Sequence, residues 1–548
     1  MPLQSPSKLE MWGGVECTVN RVGDRYFDQI ARTRHMAHLD DLDRFADLGL
    51  RSLRVPVLWE HVQPERTSAP NWRWADRALA RLRERGVRPI VGLLHHGFGP
   101  RWVDVRAPDF AEELAKYARM VAERYPWVDA YTPINEPLTT ARFSGLYGHW
   151  YPHGRDTATF ARLFVAQLTA TARAMREIRH VNPRAQLIQT EDLGKVAGTP
   201  ALALQCEFEN ERRWLTWDIL SGRMSRSHAC WNYLCGAGRD ITRELLALAD
   251  APCVPSIIGI NHYITSERYL DDRVERYSVD EIGGNGRLVY ADVAQVNVPS
   301  LQRIGIAGLL RETWERYHIP MAITECHIGC TREEQMRWLH EMWTAATQAR
   351  ATGVDVRAVT SWALLGSHDW NSLVTRETGY YEPGAFDVRG PVPRPTALAA
   401  MVRALARDGC YDHPVLATPG WWQRGRSPSP EPLHGQAPPI LIIEDDESHG
   451  RALALACELR GLAHVVVHRD ALDIGSAVEL GRALDAHRPW AVIDAARAAD
   501  LIADSCECRA LPFVSHSPHS PDAGATLDML LDASCWQIDS PEQSAAVA

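Results

Sequence analysis

The sequence is poor in lysine, in long apolar runs and in paired cysteines, and each shortage closes off a class of function. Lysine occurs only at Lys8, Lys116 and Lys195 in 548 residues, with arginine carrying the remaining basic charge, a bias read as genomic composition. No part of the chain has the basic footprint of a nucleic-acid binder. The net charge of −10 is uneven: residues 439–548 hold 18 acidic and 7 basic side chains, so the first 438 are close to neutral. No apolar run of about 18 residues is present, and the opening MPLQSPSKLEMWGG lacks the apolar core of a signal peptide. Twelve cysteines are scattered without CxxC pairs, and neither Cys326 with Cys330 nor Cys506 with Cys508 has the partners of a zinc site. The expectation is a cytoplasmic protein with reduced thiols, no metal, no cofactor and no membrane segment. No repeat recurs at solenoid periods.

What is present is an alternation. The length suggests two units, and 45% apolar with 23% charged residues describes a soluble globular protein. Nineteen tryptophans suit either core packing or a carbohydrate cleft. Short apolar runs read as strands: MWGGVE (11–16), SLRVPV (52–57), RPIVGLLHH (88–96) and DAYTPINE (129–136). AQLIQTED (185–192), SIIGINHY (256–263), PMAITECH (320–327) and VRAVTSWALLG (356–366) follow. Between them stand helical periods such as WADRALARLRERG and FAEELAKYARMVAERY. Eight such pairs predict an α/β fold, a (β/α)₈ TIM barrel with loop insertions, over residues 1–410. Residues 411–438, rich in Pro, Ser and Gly, read as a linker. Residues 439–548 then give βαβαβ, a truncated Rossmann-like module.

The strand-like runs end on polar groups: Glu16, Arg54, His95, Asn135 with Glu136, Glu191, Asn261 with Tyr263, Glu325, and Trp362 before Asp369. In a barrel these ends ring one mouth, where catalytic groups sit. Glu136 on the fourth strand and Glu325 on the seventh then face each other. Two such carboxyl groups, about 5–5.5 Å apart, are what a retaining cleavage of a glycosidic bond needs. Pro137 stops the strand after the first of them.

The motifs TPINEP, ITEC, LRVPVLWEHVQP, GLLHHGFGP, GINHY and SWALLGSHDW, in this order, resemble the family 1 glycoside hydrolases over residues 9–408. The resemblance implies that Glu136 is the acid/base and Glu325 the nucleophile. It implies that Arg54 and Tyr263 hold the nucleophile, that Asn135, His95, Asn261 and Trp370 contact the sugar, and that Trp362 stacks beneath it. Glu325 beside a guanidinium and a phenol is expected to stay ionised, and Glu136 opposite a carboxylate to have a raised pKa. There are departures. Asn20 or Arg21 stands where the family has Gln, and His96 where it has Trp. Asp369, one methylene short, stands where a Glu grips the sugar, a gap of about 1.5 Å. Glu191 and Asp192 are extra carboxylates that suit either an acceptor sugar or a loop cap.

The tail ILIIEDDESHGRALALACELRG resembles the opening of sugar-nucleotide reductases of the dTDP-4-dehydrorhamnose reductase type. Only Gly450 of the phosphate-binding glycine pattern is kept; Glu444 and Glu447 stand at glycine positions with Asp445 and Asp446 between them, and no Tyr-x-x-x-Lys pair follows. The tail is therefore expected to be a degenerate domain that acts in packing or self-association. The sequence as a whole predicts a retaining β-glycosidase acting on a small carbohydrate or glycoside, with a specificity altered from simple β-glucosides. The alternatives are a transglycosylase working through the same intermediate, and a non-catalytic carbohydrate-sensing or scaffold protein.

Overall fold

A computed structural model describes residues 8–298, 303–424, 438–471, 477–496, 499–516 and 522–537. The chain divides into two compact units: Met1–His327 with Met342–Gly384, and Ile328–Glu341 with Ala385–Ala548.

The first unit contains a closed barrel of eight parallel strands: β1 Glu10–Gly14, β2 Ser52–Pro56, β3 Arg88–His95, β4 Ala130–Asn135, β5 Gln186–Asp192, β6 Ile257–Tyr263, β7 Met321–His327 and β8 Val356–Ser361. Each pairs with its chain neighbours, and β8 closes on β1. The apolar runs become strands buried on both faces because helices cover the outside. Inside, Trp12, Ile90, Ala130, Ile188, Ile257, Ala322 and Ala358 form a packed layer with one residue from each of seven strands.

Helices fill the connections, among them α1 Asp41–Asp47, α2 Arg73–Glu84, α3 Phe110–Arg124, α4 Thr157–Val181, α5 Arg239–Asp250 and α6 Gly305–Tyr317. In α2 the buried residues are Ala75, Ala78, Leu79 and Leu82, the i, i+3, i+4, i+7 stripe that the sequence shows. Each fully buried leucine there contributes about 2 kcal/mol. A four-stranded side sheet made of Val196–Gly198, Arg268–Asp271, Ile282–Gly284 and Val289–Ala294 was not anticipated; its strands lie within the loops after β5 and β6.

The second unit contains the start of α7 (Arg332–Ala351), α8 (Ala397–Asp408) and a four-stranded parallel sheet. Its strands are β9 Ile440–Glu444, β10 His464–His468, β11 Ala491–Ala495 and β12 Phe513–Ser515, in the order β10-β9-β11-β12, a Rossmann-like arrangement. Helices α9 (Glu447–Leu459), α10 (Ala477–His487), α11 (Ala499–Glu507) and α12 (Ala523–Gln537) accompany it. Leu441, Ile443, Val492, Leu480, Leu484, Ile502 and Cys506 form its core. Of the stretch read as linker, residues 411–424 carry a 3₁₀ turn at Pro414–Ala417 and a buried Trp422, whose indole donates to Glu341 at 2.7 Å. Residues 425–437 lie outside the described residues.

Several charged side chains inside this unit form buried ion pairs. Asp532 of α12 accepts from Arg332 at 3.2 Å, from Arg394 at 2.6 Å and from the Ala397 N–H at the start of α8 at 2.8 Å. Arg337 donates to the carbonyls of Val415, Arg460 and Gly461 and pairs with Glu334, which also receives Arg424.

Candidate active site

Strand register sets the candidate residues side by side. His95 of β3 lies opposite Asn135 of β4, Gly14 of β1 opposite Arg54 of β2, and Glu325 of β7 opposite Asn261 of β6. With Ala322 in the core layer, strict alternation would turn Glu325 toward the helices. A register shift between Ile323 and Glu325 inserts one residue and turns Glu325 to the mouth instead.

Glu325 is 2% exposed. Arg54 Nη1 donates to its Oε1 at 2.6 Å and to the Thr324 carbonyl at 3.0 Å, and the Tyr263 hydroxyl donates to Oε2. Burial raises the Glu325 pKa to about 7, with Arg54 pulling it down and Glu16 pushing it up. Dehydration thus opposes the guanidinium and the phenol, which draw the carboxyl back toward its ionised form. Burial, and then the negative charge of Glu325, push the Tyr263 phenol well above its usual range, so it stays a donor.

Glu136, 4% exposed, has no guanidinium partner among the described residues. The Asn261 amide donates to its Oε1 at 2.5 Å, and His96 Nε2 lies 3.6 Å from Oε2. Burial raises its pKa well above the usual value, followed by the charges of Glu325, Asp192 and Glu191. Burial also lowers His96 to about 3 and His95 well below its usual value, so both imidazoles are neutral near pH 7.

The remaining residues separate into a network and a periphery. Asn135 Oδ1 accepts from Arg54 Nη2 and from the Thr190 hydroxyl, both at 2.7 Å, and its amide nitrogen is 3.2 Å from His95 Nε2. Trp362 stacks on His95 at 5.5 Å, lies under the Arg54 guanidinium at 4.4 Å, and donates to Glu16 at 3.3 Å. A Cβ at Gly14 would meet its ring at 2.4 Å, so Gly14 makes room for it. Trp370 is half-buried, 5.8 Å from His96, and its indole nitrogen has no hydrogen-bond partner among the described residues. Asp369 is tied to its own loop: it accepts from Arg32 at 2.9 Å, from the Thr378 N–H and hydroxyl, and from the Tyr380 N–H. Burial pushes its pKa up, but Thr378 and Arg32 outweigh that and hold it low.

Two features escaped the sequence reading. Thr190 and Thr324 fix Asn135 and Asn261, the latter through a 2.7 Å bond from the Thr324 hydroxyl to Asn261 Oδ1. Both threonines immediately precede a strand-end glutamate, in QTED and ITEC, which is the signal that could have found them. Glu16, one of the strand-end groups of the sequence reading, is buried beside Trp362 and His95. Among the described residues no group of three or more His, Cys, Asp or Glu is arranged to hold a metal.

The sequence matches the family Glycosyl hydrolase family 1 over residues 8–381. It is 23% identical to beta-glucosidase 47 of Arabidopsis thaliana over 455 residues, covering 75% of this chain and 82% of that one. It is 22% identical to a 6-phospho-beta-glucosidase of Dickeya chrysanthemi, covering 64% and 79%. With a beta-galactosidase of Saccharolobus solfataricus it shares 24%, over 60% and 68%. Among solved structures, the beta-glucosidase from Thermotoga maritima in complex with azafagomine superposes with a TM-score of 0.60 at 15% identity, covering 75% of this chain and 100% of that one.

Proposed function

This chain belongs to glycosyl hydrolase family 1, enzymes that act on O-glycosyl bonds, and on that premise we propose a retaining β-glycosidase in which Glu325 is the nucleophile and Glu136 the acid/base. The observation that carries the reading is the asymmetry of the two carboxyl groups. Glu325 is paired with Arg54 and accepts from Tyr263, whereas Glu136 faces a carboxylate and is held by a neutral amide. One group is poised to be ionised and the other to carry a proton.

In the first step Glu325 attacks the anomeric carbon while the bond to the aglycone oxygen breaks and that oxygen takes the Glu136 proton. In the second, Glu136 removes a proton from water, the water oxygen attacks the anomeric carbon, and the bond to Glu325 breaks. Asn135, held by Arg54 and Thr190, is oriented to meet the sugar 2-hydroxyl.

Specificity differs from that for simple β-glucosides in this reading. His96 stands for a larger indole, and Asp369 is committed to Arg32, Thr378 and Tyr380 instead of facing a sugar. Among the described residues, Trp370 Nε1 and Asn20 Oδ1 are two of the buried polar atoms without a hydrogen-bond partner. The relatives are named for glucosides, 6-phospho-glucosides and galactosides, so the family leaves the glycone open. The test is early-time NMR of the products from a panel of aryl β-glycosides. The β-anomer should form first, and an α-anomer formed first would overturn the retaining assignment.

A further inference from the structure

Glu191 has no part in the two steps above, yet its carboxylate accepts four hydrogen bonds. It sits on β5, next to the strand that ends in Glu136, and is completely buried. Its Oε2 accepts from the Leu138 N–H at 2.9 Å and the Thr216 hydroxyl at 2.8 Å. Its Oε1 accepts from the Thr139 N–H at 3.1 Å and the Thr139 hydroxyl at 2.9 Å. Leu138 and Thr139 are the second and third residues after Glu136, in the single turn Pro137–Ala141, and Pro137 has no N–H to offer.

Glu136 itself adopts φ 45° and ψ 60°. A left-handed conformation costs a non-glycine residue about 1–2 kcal/mol and persists only where its surroundings impose it. The backbone on the strand side of Glu136 is fixed by the barrel ladder. On the other side, the two amides after Pro137 would be without intrahelical partners in a first turn, and one buried carboxylate takes both.

We propose, building on the retaining reading, that Glu191 is a positioning residue for the acid/base: it grips the turn after Glu136 with both carboxylate oxygens and so holds Glu136 in its left-handed conformation, aimed into the mouth. It touches neither substrate nor the reacting atoms. Burial raises its own pKa to about 7, so on the alkaline side it is ionised and stands with Glu325 and Asp192 among the anions that favour the protonated form of Glu136. The other groups facing Glu136 are Asn261 and Tyr263 of β6 and neutral His96; Arg54 of β2 is engaged by Glu325 and Asn135. Asp192, the other extra carboxylate, accepts from the Ser266 hydroxyl and, among the described residues, makes no hydrogen bond to this turn.

The test compares the full chain with Glu191→Gln. Glutamine keeps the shape but sets an NH₂ against one of the two amides. Turnover of an aryl β-glycoside with a poor leaving group should fall about 10- to 100-fold, while that of a dinitrophenyl glycoside falls about threefold or less. KM should change little, and the alkaline limb of the pH profile should move to lower pH. Amide exchange at Leu138 and Thr139 should rise roughly tenfold or more relative to the rest of β4. Thr216→Val, which removes one donor and leaves the charge, should slow the poor substrate by about threefold and leave the alkaline limb in place. Equal losses on both leaving groups with an unmoved alkaline limb would overturn the proposal, as would unchanged exchange at Leu138 and Thr139. If the unmodified chain cleaves no β-glycoside, the retaining reading fails; amide exchange then still decides whether Glu191 grips the turn.

Discussion

Both β/α assemblies of this chain present the C-terminal ends of parallel strands, the place where such sheets bind ligands, and they differ in what stands there. In the barrel, Arg54, Asn135, Asn261 and Tyr263 bracket Glu136 and Glu325, so that each carboxyl group has donors and one has a cation. In the C-terminal sheet the strands end at Glu444, His468, Ala495 and Ser515, with Asp494 one residue before the end of β11. Glu444 is buried with one oxygen unpartnered among the described residues, and a Cβ at Gly450 would meet its Cγ at 2.8 Å, so the carboxylate lies against the glycine that a phosphate would approach. The same strand–helix unit thus gives a network of complementary charges in one case and the protein's own anion in the other. Architecture offers the position; the side chains at the strand ends decide whether chemistry follows.

The comparison is broken most directly at the barrel. Glu325→Gln should reduce turnover by on the order of 10⁴-fold or more, because an amide does not attack the anomeric carbon. Glu136→Gln should cost about 10² to 10⁴-fold on poor leaving groups and far less on activated ones. Steady-state rates on both substrate types check this. Equal, small losses would mean that the networked mouth is no more catalytic than the C-terminal sheet.

The second unit is broken through Asp532. Arg332 and Asp532 are both buried, and Asp532→Ala would leave Arg332 without that anion and the Ala397 N–H without its acceptor. Removing one partner of a buried pair costs about 3–5 kcal/mol, so thermal unfolding of the full chain should begin several degrees lower. An unchanged transition would remove the structural role assigned to this ion-pair cluster.

How far the sequence foretold each region follows from the range of the interactions. The eight barrel strands were readable because each is a local apolar run: RPIVGLLHH is β3, Arg88–His95, almost residue for residue. The strand ends that meet at the mouth were readable because the barrel closes in chain order. The bond of Asp532 to Arg332, 200 residues apart, leaves no trace in periodicity or composition. For the same reason a Pro-rich composition says nothing of the anchoring of Trp422 by Glu341. At the site, residue type revealed Asp369 as one methylene short but not that Arg32, Thr378 and Tyr380 engage it. Glu191 carried two sequence readings, and its four donors favour the loop-cap one.

A smaller effect sharpens the electrostatic half of the comparison. Glu325 must be ionised to attack, and burial raises its pKa to about 7, so kcat/KM should fall about tenfold per unit as the pH drops below that value. Glu136 must be protonated, and its pKa is well above the usual range, so activity should be lost on the alkaline side only as the pH passes through that raised value. The expected optimum is neutral or above. An acid limb near pH 4–5 would mean that Arg54 and Tyr263 hold Glu325 more strongly than its burial opposes them.

The smallest expected effect is a null one, at the C-terminal sheet. Phosphate binding at a helix N-terminus needs free N–H groups and a positive local potential. At α9 the Asp446 carboxylate already accepts from the Ser448 N–H at 2.8 Å, Glu447 opens the first turn, and Glu444 covers the approach to Gly450. Each of these opposes a pyrophosphate, by occupying a donor, by like charge or by bulk. Titration of the full chain with NADPH in a calorimeter should therefore give no binding in the micromolar range. Micromolar affinity would mean that the carboxylates turn aside for a ligand, and the C-terminal sheet would then stand beside the barrel as a second binding site. Without it, the reductase-like sequence pattern carries no nucleotide chemistry, and the part we propose for this module is packing through Asp532, Arg337 and Arg460.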